Sequence, residues 1–258
     1  VNRRELTIHA IQSAVFQIQR NSKHQLDILQ PADHSGEDGS KAEAVIYLEV
    51  DRQSGSQAFS ELQGALLEVL AEVRVAVGDF TVMKNIAENL DEELDQYASI
   101  LPEHELDETK TFFQWLCSDH FSFLGYESFT ISGKGAKQQL VRDESSVLGI
   151  LKNKAGHKTK QLISELPVAV QDLWEEKTLL SFSKSATRSI VHRPAYPDYI
   201  SLKRFDRDGQ PIGEHRFVGL YTSSVYTQSP RLIPVIRNKA SSIIERSGFD
   251  RRGHKGKD

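Results

Sequence analysis

Histidine and carboxylate side chains that could do acid–base chemistry are concentrated in the last third of the sequence. A catalytic interpretation takes His192 or His215 as a general base. Asp198 or Glu214 would then be the carboxylate that orients the imidazole ring. A base whose ring is oriented by a carboxylate is an arrangement typical of general acid–base catalysis.

The spacing of these residues argues against catalysis. Glu214, His215 and Arg216 are consecutive in a predicted strand, where neighbouring side chains point to opposite faces of the sheet. Ion pairs across a hairpin explain the same charges, and the candidate pairs are Glu214 or Asp206 with Lys203 or Arg204. We therefore predict no catalytic residue in this chain.

Basic side chains also surround the end of a predicted strand, and these favour binding over catalysis. Arg188 or Arg193 could hold a carboxylate through two parallel hydrogen bonds. The predicted ligand-binding residues are Lys184, Arg188, His192 and Arg193. Ser229 opens a predicted helix whose free backbone amides would also favour an anion. The alternative is that these side chains only organise the proline-rich loop that follows the strand.

Nucleotide and metal motifs are absent from the sequence. Gly133-Lys-Gly135 comes nearest to the dinucleotide-binding G-x-G-x-x-G, but the third glycine is missing and the segment reads as a turn. Neither a phosphate-binding G-x-x-x-x-G-K-[ST] nor an H-E-x-x-H occurs. A single cysteine, Cys117, excludes an internal disulfide and a multi-cysteine metal site. We therefore predict no cofactor and no metal in this chain.

The elements that carry the polar residues form a sheet with flanking helices. DYISLKRFD and EHRFVGLYTS predict a hairpin whose turn contains the Asp208-Gly209 pair. FSFLGYESFTI, QQLVR and TLLSFSK predict further strands. Asp107 is the predicted cap of a helix that ends near Ser118, and PVAVQDLWEEK predicts a short helix. The last helix is predicted to start at Ser229 and Pro230, with Pro234 bending or delaying it, and to end before Gly248.

Strands and one long helix are predicted before this sheet. LTIHAIQSAVFQIQ predicts a strand pair or one long strand, and AEAVIYLEV alternates as a half-buried strand does. From Phe59 to Leu94 the apolar residues then recur in alternating steps of three and four. An unbroken helix over 57–97 would be roughly 60 Å long, with Gly78 as the predicted bend. It would either cover two successive sheets or form a dimeric coiled coil.

Composition narrows the class of protein. The net charge of −4 gives no reason to expect a nucleic-acid partner. No apolar run approaches the ~18 residues that a bilayer span needs, and no secretory signal begins the chain, so we predict no membrane partner and a cytoplasmic location. Because the chain begins Val1-Asn2 and its one methionine is Met83, we expect it to be a piece of a longer protein.

Three stretches of the sequence are specific when taken together. The first is LEVDRQ followed by the helix that contains EVRVAVGDF, and the second is FFQWLCSDHFSFLGYESF. The third comprises LSFSKSATRSIVHRPAYPDYISLKRFD, GEHRFVGLYTS, SPR and RSGFD. These stretches resemble the large bacterial NAD-dependent glutamate dehydrogenases, in the long N-terminal part ahead of their catalytic domain, and they extend the resemblance over nearly the whole chain.

The resemblance implies an α+β fold in three parts. Residues 1–55 would be the strands of a truncated ACT-like, ferredoxin-type ββα unit, and 56–99 the long helix that completes it and connects it onward. Residues 100–258 would be a PAS-like domain with an antiparallel sheet and flanking helices. The truncation would leave apolar sheet surface exposed unless a partner covers it.

The resemblance also implies a function for the longer protein. That enzyme would convert L-glutamate, NAD and water to 2-oxoglutarate, ammonium and NADH, with its catalytic lysine and NAD site outside this chain. The chain itself would be a non-catalytic regulatory and assembly segment. Its partners would be other domains and subunits of a homo-oligomer, together with an amino-acid effector. An independent amino-acid-sensing module is the alternative function.

Overall fold

A computed structural model of the chain describes residues 6–31, 33, 39–153, 159–168, 171, 174 and 178–247. The chain divides into two compact units, residues 1–65 and residues 66–258. Each unit contains one antiparallel sheet, and the described helices are few. The α+β class predicted from the sequence is confirmed.

The first unit contains a three-stranded antiparallel sheet. Its strands are β1 (Ile8–Arg20), β2 (Leu26–Pro31) and β3 (Lys41–Val50), in the order β2-β1-β3. The β-branched run at the start of the chain forms one long strand, as one of the two sequence interpretations had it. β2 is a six-residue strand that pairs with the second half of β1, and it was not predicted from the sequence.

A long helix, α1 (Ser56–Glu88), follows β3. It continues through Gly78 and ends before Asn89, whose backbone angles of φ −91° and ψ 5° are not helical. A short helix, α2 (Leu90–Asp95), comes next. The predicted helix over 57–97 is therefore interrupted at Asn89, and a bend at Gly78 stays a prediction. Its C-terminal apolar stripe is buried, with Met83 and Leu94 both fully inaccessible to solvent.

The second unit is built on a six-stranded antiparallel sheet. Its order along the sheet is β6-β5-β4-β9-β8-β7. The strands are β4 (Phe121–Ser132), β5 (Gln139–Gly149), β6 (Lys160–Leu162), β7 (Leu180–Lys184), β8 (Asp198–Phe205) and β9 (Pro211–Tyr221). The predicted hairpin of β8 and β9 is confirmed, and its turn places Gly209 at φ 73°, where glycine is favoured.

The core of this unit lies on both faces of the sheet. On one face, α2 and α3 (Glu103–Trp115) contribute to a large apolar cluster that contains Phe113 and Phe217. On the other face, Val218 belongs to a second cluster and Trp174 to a third. The sequence placed the start of α3 too late. Pro102 precedes its first residue, so Asp107 lies inside the helix and not at its cap.

The last described helix is α4 (Ile236–Arg246). Ser229 caps only a three-residue turn of 3₁₀ helix, Pro230–Leu232, and α4 begins two residues after Pro234. The prediction that Pro234 delays the helix is confirmed, whereas one continuous helix from Ser229 is wrong. Gly248 and most of the helix predicted in PVAVQDLWEEK lie outside the described residues.

Candidate functional site

Two of the four predicted ligand-binding residues lie at the end of β7 with partners of their own. The Lys184 ammonium donates to Asp198 Oδ1 at 2.6 Å, which closes the β7–β8 pair at its last register position. The Arg188 guanidinium lies 5.3 Å from the centre of the Tyr196 ring. Both basic side chains are exposed, so these contacts are open to exchange with solvent.

The other two lie in a tight loop before β8. Arg193 donates from Nη2 to the backbone oxygen of Tyr221 at 2.5 Å and to the hydroxyl of Tyr226 at 3.2 Å. His192 is exposed and has φ 67°, a left-handed backbone that the turn around it imposes. The contacts of Lys184, Arg188 and Arg193 have no partner in common. Ligand binding by the four residues therefore stays a prediction.

His215 is held in a network on the face of the sheet that α2 and α3 cover. Its Nε2 lies 2.8 Å from Glu93 Oε2, and its Nδ1 lies 2.7 Å from the Tyr126 hydroxyl. Glu93 Oε1 also accepts from the Tyr97 hydroxyl at 2.7 Å and from Arg204 Nε at 3.1 Å. The carboxylate partner of His215 is thus Glu93, and neither Asp198 nor Glu214 takes that position.

The electrostatics of this network stabilise the charged form of Glu93. Burial alone would raise the pKa of this carboxyl, but hydrogen bonds and charge from His215, a hydrogen bond from Tyr97 and the charge of Arg204 lower it to about 2. Burial raises the pKa of the Tyr126 phenol to about 12. Both ring nitrogens of His215 are engaged, so the network holds α2 on the sheet and presents no free base.

A cavity lies on the opposite face of the sheet. It has a volume of about 380 Å³, and its floor includes Ser201 and Lys203 of β8 together with Glu214 and Arg216 of β9. Trp174 is among the apolar residues that line it. A cavity of this size is in the range of small-molecule sites.

The charges beside this cavity are tightly paired. Arg216 Nη2 contacts Glu214 Oε1, and Arg216 Nη1 lies 3.4 Å from Oε1 of Glu127, which is completely buried. Burial opposes the charge of Arg216, but these two carboxylates outweigh it and raise the pKa of the guanidinium. The same guanidinium lies 4.4 Å from the centre of the Phe129 ring. Register places Lys203 directly opposite Glu214, one of the predicted cross-hairpin pairs.

Sequence reasoning found part of this arrangement. The alternation of β9 already placed Glu214 and Arg216 on one face and His215 on the other, and the structure agrees. The roles of Glu93, Tyr126 and Trp174 were not predicted. The contacts of Glu93 and Tyr126 with His215, and of Trp174 with Lys203, join residues that are far apart in sequence. Arg204 was the alternative to Lys203 for an ion pair within the hairpin, and in the structure it pairs with Glu93 on α2.

Among the described residues, no group of three or more His, Cys, Asp or Glu side chains is arranged to hold a metal ion. Within the same part of the chain, no helix is both long and apolar enough to cross a bilayer.

Two family models match segments of the chain, one at each end. Residues 1–66 match "Glutamate dehydrogenase, ACT1 domain", and residues 233–258 match "Glutamate dehydrogenase, helical motif 1". Both segments are thus similar to parts of glutamate dehydrogenases, and the ACT-like character predicted for the first part of the chain is confirmed.

Three relatives of the chain are NAD-specific glutamate dehydrogenases. All 258 residues align at 42% identity with the NAD-specific glutamate dehydrogenase of Pseudomonas aeruginosa. The enzyme of the same name from Halomonas elongata is 37% identical, again over 100% of this chain. The one from Mycobacterium tuberculosis is 22% identical over 93% of the chain and 14% of its own length. The chain spans 16% of the length of the first two relatives. The resemblance to the NAD-dependent glutamate dehydrogenases is confirmed.

A solved structure was also matched, the periplasmic sensory domain of the Campylobacter jejuni chemoreceptor Tlp1. The match covers 71% of this chain and 62% of that one, at 12% identity and a TM-score of 0.24. A score this low does not inform the fold.

Proposed function

We propose that the chain is a regulatory and assembly segment of a large NAD-dependent glutamate dehydrogenase and has no catalytic residues of its own. The longer enzyme would convert L-glutamate, NAD and water to 2-oxoglutarate, ammonium and NADH. The observation that carries the proposal is that the whole chain aligns with only 16% of its NAD-specific relatives, beginning with an ACT1 segment. NAD would be bound outside these residues, and the enzyme would be cytoplasmic.

The assembly role is supported by the first unit. One face of its sheet exposes apolar side chains of β1 and β3, including Ile11 at 65%, Val15 at 48% and Ile46 at 57%. Soluble proteins rarely leave such clusters open, so this surface fits contact with another domain or another subunit of a homo-oligomer. The net charge of the chain is −4, which gives no reason to expect a nucleic-acid partner.

The regulatory role is supported by the second unit. Without the edge strand β6, the strands of its antiparallel sheet lie in the order β5-β4-β9-β8-β7. When these five strands are numbered along the chain, the order is 2-1-5-4-3. This order and the cavity over one face support a PAS-like fold for the unit. The cavity also favours the second candidate function, an independent small-molecule sensing module with an amino-acid effector, to which Lys184 contributes as a lining residue.

Activity and assembly measurements test the proposal. The purified 258-residue chain should produce no NADH from L-glutamate and NAD, whereas turnover by the pure chain would overturn the non-catalytic assignment. In the full-length enzyme, Ile46→Asp should weaken subunit or domain assembly, measured by light scattering and sedimentation. The matched control is Glu49→Asp on the same strand, which introduces no charge. Unchanged assembly in Ile46→Asp would contradict the assembly role of this sheet.

A further inference from the structure

Most of the polar side chains that line the cavity of the second unit can donate hydrogen bonds. The polar side chains that can donate are Ser181, Ser183, Tyr199, Ser201, Lys203 and Arg216, among others. Of the lining side chains in the described part of the chain, Glu214 is the one that can only accept. A ligand in the cavity would therefore meet the cations of Lys203 and Arg216 and several hydroxyl groups, all of which can donate to an acceptor atom.

Glu214 and Arg216 are paired with each other, and this pairing holds the guanidinium in place beside the cavity. Glu214 Oε1 contacts Arg216 Nη2, and Glu214 is 6% exposed. This contact, the carboxylate of Glu127 and the Phe129 ring fix the guanidinium plane beside the cavity. A fixed cation loses little entropy when an anion binds, because its side chain is already ordered.

The walls add an apolar component. The Lys203 ammonium lies 5.8 Å from the centre of the Trp174 ring, and Trp174, Phe129 and Leu166 also line the cavity. Flat aromatic faces beside fixed cations suit an organic molecule with a planar or aliphatic body more than a small inorganic ion.

We propose that this cavity is a binding site for a small organic acid, whose carboxylate is held by Lys203, Arg216 and the serine hydroxyls of β7 and β8, and whose body packs on Trp174. The proposal deepens the regulatory role proposed above, since it gives that role a ligand class and a site. It concerns residues other than Arg188, His192 and Arg193, which are not among the lining residues of the cavity.

Tryptophan fluorescence and thermal unfolding of the 258-residue chain test the site. Trp174 lines the cavity and Trp115 does not, so occupancy should change part of the emission. The probes are sodium succinate and sodium benzoate, with succinamide and benzamide as uncharged counterparts and sodium phosphate as the inorganic anion. Titration to about 10 mM would saturate a site with a Kd below about 0.1 mM, and would raise Tm by roughly 5–10 °C.

Two variants identify the site, and one is a matched control. Lys203→Met removes a cation at nearly constant length, and Ser201→Phe fills the cavity from the neighbouring position on β8. Each should abolish the carboxylate response while the unliganded variant still unfolds cooperatively. Lys137→Met removes a lysine that does not line the cavity and should leave the response unchanged.

The outcomes separate clearly. A saturable response to succinate or benzoate that the amides lack, and that both cavity variants lose, supports the proposal. An equal response to the amides, a response to phosphate alone, or no response to either carboxylate overturns it. Failure here would leave the absence of NADH production and the assembly role intact. Turnover by the pure chain would overturn the proposed function without affecting the binding result.

Discussion

Replacement of Glu93 by Gln should destabilise the second unit, since Glu93 is the acceptor at the centre of the His215 network. The side chain accepts from Tyr97 and Arg204 through Oε1 and faces His215 through Oε2. Its side chain is 25% exposed, so solvent screens these contacts only in part. Glu93→Gln keeps the shape of the group and removes its charge.

The expected magnitude follows from the pKa of Glu93. The network lowers this pKa from 4.5 to about 2, and each unit corresponds to about 1.4 kcal/mol. The charged form is therefore favoured by roughly 3 kcal/mol in the folded state. Because the folded pKa is depressed, this stabilisation is fully present above pH 4.5 and is lost as the pH falls towards 2.

Urea unfolding followed by tryptophan fluorescence measures the effect. Both tryptophans, Trp115 and Trp174, belong to the second unit, so the signal reports on that unit. At pH 7, Glu93→Gln should lower the free energy of unfolding by about 2–3 kcal/mol, and the loss should shrink between pH 4.5 and 2. The control is Glu92→Gln, an exposed neighbour, where a change within about 0.5 kcal/mol is expected. If the two variants were equally stable at pH 7, or if the difference persisted in acid, the reasoning would be refuted.

Two further predictions concern a pair of glycines, Gly149 and Gly78, and the cysteine Cys117. Gly149 has φ 62°, and a Cβ there would lie 2.1 Å from the backbone oxygen of Leu124, so Gly149→Ala should cost more than about 2 kcal/mol in urea unfolding. Gly78→Ala in α1, where a Cβ meets nothing within 4 Å, should instead stabilise by about 0.5–1 kcal/mol, and an equal loss in both would contradict this account. Burial raises the pKa of the Cys117 thiol to about 11, so Ellman's reagent at pH 8 should label it slowly until urea is added. Rapid labelling of the folded chain would show that the thiol is more accessible than its 8% exposure indicates.

Local patterns predicted the elements whose signals lie within their own sequence. The β8–β9 hairpin was found because Asp208 and Gly209 form a turn between two alternating runs. β2 was missed because six residues give too short an alternation, and its stability comes from pairing with β1. The start of α3 was misplaced because Asp107 satisfies the local rule for a cap, whereas Pro102 marks the observed start.

In the candidate sites too, only those features that follow from a local sequence pattern could be predicted. The faces of β9 could be assigned from alternation alone, which separated His215 from Glu214 and Arg216. The carboxylate partner of His215 is Glu93, which is 122 residues away in sequence and lies on α2. No local pattern connects the two, so the pairing follows only from tertiary packing. The same holds for Trp174, which lines the cavity from a segment that precedes β7.

The alternation of β9 restricts how this strand can change in evolution. His215 lies on the face of the sheet that α2 and α3 cover, whereas Glu214 and Arg216 line the cavity on the other face. A one-residue insertion or deletion in β9 would therefore move each of these side chains to the opposite face. The His215 imidazole would then enter the cavity, and the charged group of Glu214 or Arg216 would pack against the apolar cluster that contains Phe217. Homologous strands should therefore vary by substitution while their length between the turn at Gly209 and Tyr221 stays constant.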